Sequence, residues 1–164
     1  MIEIGKSAKG IEEPRLLRFL SLARKAAGIR GDVSVLLTSS SQMRTLNRVF
    51  RGKDKPTDVL SFPAVAAVNR KFAGDIAISL DIAGKNAKEL GHDLEDETKV
   101  LILHGLLHLA GYDHEIDNGE MAKREARLRS RLGLPLSLTE RSLKTSTLSR
   151  KTKPRSSGST RRAR

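Results

Sequence analysis

Apolar residues recur at helical spacing in the first long segment of the chain. From Glu12 onward, Leu16, Leu17, Leu20, Leu22, Ala23 and Ala26 form a stripe, Pro14 suits a first turn and Gly28 suits a stop. Asp32–Thr38 brings Val33, Val35, Leu36 and Leu37 together and predicts a strand. Ser39, Ser40 and Ser41 offer caps for a second helix, along which Met43, Leu46, Val49 and Phe50 recur. The pattern breaks at Arg51–Asp58, a polar, charged, turn-rich stretch that reads as a loop. Val59–Phe62, closed by Pro63, predicts a short strand, and Phe72–Leu80 predicts a longer one. The connection between them is too short for a helical crossover, so the two should pair as an antiparallel hairpin. Met1–Ile4 offers one more short strand.

Beyond the hairpin the pattern turns helical again. Asp81 is a candidate cap for a helix to about Leu90, stopped by Gly91. Asp93 caps a further helix starting near Leu94, with Glu95, Asp96 and Glu97 at the positive end of its dipole. A last helix runs from about Asn118 to Arg131, ended by Gly133 and Pro135. Together these elements predict an α+β fold. A small mixed sheet of three to four strands carries packed helices, and the helix from Leu94 is central and buried.

That central helix carries the candidate chemistry. Leu101, Ile102, Leu103, Leu106, Leu107 and Leu109 surround His104 and His108. Residues four apart share a helix face, and an apolar helix has no packing need for two imidazoles there. Gly111 suits a left-handed turn at the helix end, which can return His114 to the same point. Three neutral imidazoles would hold a metal and leave a position open for water, an arrangement typical of zinc hydrolases. The spacing of His104, His108, Gly111 and His114 matches the zinc motif of metzincin peptidases, H-E-x-x-H-x-x-G-x-x-H. One position departs from it. Gly105 stands where those peptidases place the glutamate that acts as general base.

Composition narrows the partners. The chain has 164 residues and no cysteine, so disulfides and thiolate metal sites are excluded. Its 38% hydrophobic content is low for a globular protein, as a disordered segment would make it. Met1–Gly10 lacks the apolar core of a signal peptide and no apolar run is long enough to span a bilayer. A cytoplasmic protein without membrane attachment is the expectation. Net charge is +12, unevenly placed. Residues 141–164 carry nine cations and no acid, whereas 1–140 hold 22 Lys and Arg against 19 acids. The expected organisation is therefore one catalytic domain over 1–140 and a basic, disordered tail over 141–164. Arg150, Lys151, Lys153, Arg155, Arg161, Arg162 and Arg164 in that tail are candidate RNA-binding residues, giving salt-sensitive affinity without sequence preference.

A metal with three imidazoles and one water suits hydrolysis of an amide or a phosphodiester. The missing glutamate points away from the amide. Cations point towards the phosphodiester: Arg48, Arg51, Lys53 and Lys55 lie in or beside the loop that precedes the short strand. An edge strand often borders the cleft of a zinc hydrolase, which would bring this loop near the metal. A guanidinium there would hold a phosphate bidentately.

Three stretches together resemble the YbeY family of bacterial metallo-endoribonucleases. They are His104-Gly-x-Leu-His108-Leu-x-Gly-Tyr-Asp-His114, Leu46-Asn47-x-x-Phe50-Arg51-Gly-Lys-Asp-x-Pro-Thr-Asp-Val-Leu-Ser-Phe-Pro63, and Gly74-Asp75-Ile76-x-Ile78-Ser79. The likeness covers about residues 30–132 and leaves the tail past about Arg141 outside. It implies an α+β fold, one Zn2+ on His104, His108 and His114, and cleavage of single-stranded RNA. The processes it implies are 16S rRNA 3′-end maturation and ribosome quality control, with rRNA and ribosome or small-subunit factors as partners. By position it assigns Arg51 to the scissile phosphate, beside a zinc-bound water; Lys53 and Lys55 are candidate RNA contacts from the charge of the same loop. Two residues stay open. Asp113 either hydrogen-bonds a ligand imidazole or shapes the helix end, and His92 is a fourth ligand, a proton donor or an ordinary loop residue. Two other functions fit the same ligands: a non-catalytic, metal-stabilised ribosome assembly factor, and a metallopeptidase.

Overall fold

The computed structural model describes residues 1–4, 9–65 and 71–135. The elements run β1 (Ile2–Ile4), α1 (Glu13–Ala27), β2 (Asp32–Thr38), α2 (Ser40–Arg51), β3 (Val59–Pro63), β4 (Phe72–Ser79), α3 (Leu80–Leu90), α4 (Leu94–Leu109) and α5 (Glu120–Leu132). Among the described residues they build one mixed four-stranded sheet in the order β1-β2-β4-β3. β1 and β4 pair parallel with β2, and β3 pairs antiparallel with β4 as the hairpin predicts. No described helix is long and apolar enough to cross a membrane. The boundary expected at residue 140 and the tail beyond it lie outside the described residues.

Strand alternation divides the sheet into two faces. Val33, Val35, Leu37, Ile76 and Ile78 face the larger core, shared with α1, α3, α4 and α5. Leu60 and Ala77 face the other way, where α2 covers them with Met43. α4 lies inside the larger core and is buried around its circumference, from Val100 through Leu107. That explains its continuous apolar run: no side of it needs to face water.

Exposure departs from the simple stripes in the two helices nearest the surface. In α1 the buried set is Leu16, Phe19, Leu20, Ala23 and Ala27, while Leu17 and Leu22 face solvent. In α2, Met43 and Asn47 are buried, but Val49 and Phe50 are exposed. One cap also differs. α3 starts directly after β4, and Ser79 accepts from the Ile82 amide as its N-cap. Asp81 serves the neighbouring helix instead, its carboxylate accepting from the Ser40 amide at 2.8 Å. Asp93 caps α4 as expected, accepting from the Asp96 amide at 2.8 Å.

Candidate metal centre and cleft

α4 ends where the sequence requires a turn. The Gly111 amide donates to the His108 carbonyl and the Tyr112 amide to the Leu107 carbonyl, both at 3.0 Å, and Gly111 has φ of +94°. This is a Schellman closure, which a side chain at 111 would strain. It reverses the chain, and Asp113 then organises the next turn. The Asp113 carboxylate accepts from the Glu115 amide at 3.0 Å, and its carbonyl accepts from the amides of Ile116 and Asp117. His114 is thereby carried back over the helix end.

The three histidines converge. One imidazole nitrogen from each of His104, His108 and His114 lies within 4.8 Å of the others. Nε2 of His104 and Nε2 of His108 are 3.2 Å apart. Tetrahedral zinc with bonds of about 2.0–2.1 Å would set its nitrogen donors about 3.3 Å apart, so the His104–His108 pair already has the spacing such an ion sets. Exposure increases from buried His104 through His108 to exposed His114, so the centre opens to solvent on one side. Burial, then the neighbouring His104 and His114, push the His108 imidazole down to about 4, against a smaller opposing pull from Asp113 and a backbone hydrogen bond at Tyr112. The neutral form that a metal needs is therefore favoured.

The carboxylate hydrogen-bonded to a candidate ligand imidazole is one the sequence did not disclose. Glu125, fully buried on α5, lies 3.1 Å from Nδ1 of His104. A carboxylate at Nδ1 orients the ring and leaves the lone pair on Nε2. Its one sequence signal is an acid on a helix face that is otherwise core, beside Met121 and Leu128. Asp113 makes no such hydrogen bond among the described residues: its carboxylate accepts from the Glu115 amide and acts on His108 through its charge. His92 is not among the converging groups either. Its Nε2 lies 2.6 Å from Glu97 Oε2, at the opposite end of α4 from His108.

Gly105 has a steric explanation. A Cβ there would stand 2.9 Å from Ile76 Cγ2 and 3.1 Å from Ser61 Oγ. α4 lies directly on β3 and β4 at this point, and Ser61 Oγ donates to the Gly105 carbonyl at 3.3 Å. The space that a glutamate would need is filled by the sheet.

The cation loop reaches the same cleft. Arg51, Lys53 and Lys55 line a cavity of about 710 Å³ together with the three histidines and Val59, Leu60 and Ser61 of edge strand β3. The loop is tied to α2 twice. Arg44 donates to Asp54 through Nε and Nη2, at 2.9 and 2.8 Å, and buried Asn47 donates to the Lys55 carbonyl at 2.8 Å. Mutual hydrogen bonding raises the Arg44 guanidinium and lowers the Asp54 carboxyl from their ordinary ranges. Asp54 is thus occupied, and among the described residues no ion pair holds Arg51, Lys53 or Lys55. Arg48 is exposed but does not line the cavity. Of the three acids that line the cavity, Asp58 accepts from the Val59 amide, Asp117 accepts from the amides of Gly119 and Met121, and Glu115 is exposed. The tail cations Arg150 to Arg164 lie outside the described residues.

Comparison with known proteins agrees with this geometry. The profile of the family described as Endoribonuclease YbeY matches residues 12–133. The chain belongs to the YbeY family. Among its relatives, an endoribonuclease YbeY of Koribacter versatilis is 56% identical over 155 residues, 94% of this chain and all of that protein. One from Nautilia profundicola is 51% identical over 110 residues, 67% of this chain and 78% of the other. A solution structure from Thermotoga maritima matches with a TM-score of 0.53 at 34% identity, covering 80% of this chain and 89% of that one. The likeness is wider than residues 30–132. It takes in α1, and the Koribacter alignment is too long to stop at Arg141, so it enters the basic tail.

Proposed function

We propose that this chain binds one Zn2+ at His104, His108 and His114 and uses that centre with Arg51 to cut single-stranded RNA, in 16S rRNA 3′-end maturation and ribosome quality control. The coarser statement comes with the family: the chain is an endoribonuclease of rRNA processing. One observation carries the finer reading, the three imidazoles and Arg51 lining a single cavity. When bound, zinc would act as a Lewis acid and lower the pKa of water. The chain's own residues do the rest. Glu125 holds His104 in the donor tautomer, and Arg51 holds a phosphate oxygen and offsets charge that develops on it. Lys53 and Lys55 attract the flanking phosphates, and the Arg44–Asp54 and Asn47–Lys55 ties keep all three cations over the cleft. The substrate is rRNA, acted on in the cytoplasm alongside ribosomal or small-subunit factors.

The two rival functions meet specific obstacles. A structural zinc site is closed by four protein ligands, whereas among the described residues three groups converge here and the third is exposed. A peptidase of the matching motif needs a base at 105, where Ile76 and Ser61 fill the space. The test is cleavage of single-stranded rRNA fragments by purified protein. Chelation and His114→Ala should each abolish it and zinc should restore the chelated enzyme. Cleavage that survives both treatments would remove the reaction from this centre.

A further inference from the structure

Phe50 is prominent on the surface, and the reaction above leaves it unused. It sits one position before Arg51 at the end of α2 and is 63% exposed. Its ring meets Phe62 of β3 edge to face, with centroids 5.0 Å apart and planes at 62°. The chain has only four phenylalanines, one tyrosine and no tryptophan, so two of its few large aromatics are paired at an open surface. Together with Leu46 and Leu36 they line a groove of about 470 Å³ on the α2 face of the sheet. Edge strand β3 separates this groove from the metal cleft. Ser61 lines the cleft and Phe62 the groove, one residue apart, or about 3.3 Å along the strand. α2 makes the same division, with Arg51 in the cleft and Phe50 in the groove.

We propose that Phe50, braced by Phe62, is a stacking platform for one RNA base adjoining the phosphate held at Arg51. The proposal rests on the RNA-cleaving reading of the cleft. Every base has a π-face, so such a platform tolerates any sequence. A base inside a duplex has its faces covered by neighbours, so the platform also selects unpaired RNA. Charge decides that the occupant is a base and not the backbone. Glu3 and Asp75 line the same groove against one cationic group, the Met1 ammonium, which donates to the Val33 carbonyl, while Arg51, Lys53 and Lys55 lie on the cleft side of β3. The strand's phosphates stay with the cations, and one base turns over the edge onto Phe50.

The experiment is a rapid-mixing binding titration of the full, zinc-loaded chain, read before RNA is cut. The probe is a short single-stranded oligoribonucleotide in which one abasic ribose is moved position by position. Wild type should lose about tenfold in affinity when the abasic site reaches one position, the scale of a single stacked base. Phe50→Ala should bind the intact probe about tenfold more weakly and be indifferent to that abasic site, and Phe50→Trp should restore the sensitivity. Phe50→Ala binding the intact probe like wild type, or keeping the abasic penalty, overturns the platform while leaving the cleft reading in place. Arg51→Ala binding the probe like wild type removes RNA from the cleft and overturns both.

Discussion

Glu125 and Gly105 show how much a single side chain decides here. Glu125 is fully buried against Nδ1 of His104, and carboxylates so placed typically change metal affinity 10–100-fold. Glu125→Ala should weaken zinc binding by that range, and Glu125→Gln, which keeps an acceptor, by less. Competition against a chromophoric chelator reads this directly, and unchanged affinity in both variants would mean that Glu125 only packs. Gly105→Ala places a methyl 2.9 Å from Ile76, so it should destabilise the fold by about 1–3 kcal/mol in a denaturant melt. His108 makes a pH prediction for the metal-free protein. Its imidazole is held down to about 4 in the fold, chiefly by burial, against an ordinary value of about 6.5. Between those values the unfolded chain takes up a proton that the folded chain refuses. Stability from this residue is therefore present above about pH 6.5 and is lost as pH falls towards 4. The melting temperature of metal-free wild type should fall more steeply over that interval than that of His108→Ala, and equal slopes would refute the assignment.

At the scale of elements, the loop after α2 is a rigid carrier of cations. Asn47 is buried, and its side chain holds the Lys55 carbonyl. Asn47→Ala should cost about 0.5–1.5 kcal/mol, since it removes a part-buried hydrogen bond to the Lys55 carbonyl. It should also reduce RNA cleavage while leaving zinc affinity as in wild type; equal losses in both would mean that the loop is not a separate device. Elements of this kind were legible to different degrees. The helices, the hairpin and the capping Asp93 were readable because periodicity and caps are local. His104, His108 and His114 were readable because one helix turn and one glycine reversal bring them together. Glu125 was not, because its partner lies 21 residues away on another helix. Asp81 was misassigned for a similar reason: it caps α2 across space while Ser79 caps its own helix. Leu17, Leu22, Val49 and Phe50 carry apolar character that periodicity assigns to the core. Their exposure is set by which neighbours the tertiary fold supplies, and no window of sequence contains that.

At the scale of the whole molecule, charge separates recognition from chemistry. Of the net +12, the stretch 141–164 carries nine positive charges without an acid, while Arg51, Lys53 and Lys55 line one cleft with the three histidines. Cations that neutralise phosphates release counterions, so each contact steepens the salt dependence of binding, by about 0.7 in log–log slope for a single strand. The tail and the cleft should therefore contribute different signatures. Removing residues 141–164 should weaken RNA binding at low salt, flatten the slope by several such increments, and leave cleavage at saturating RNA unchanged. Arg51→Ala should flatten the slope by about one increment and suppress cleavage even at saturation. Titrations of one oligoribonucleotide across a salt series, with single-turnover cleavage on the same samples, separate the two. A truncated chain that keeps the full slope would show that the tail touches no phosphate, and one that loses cleavage at saturation would place the tail in the reaction itself.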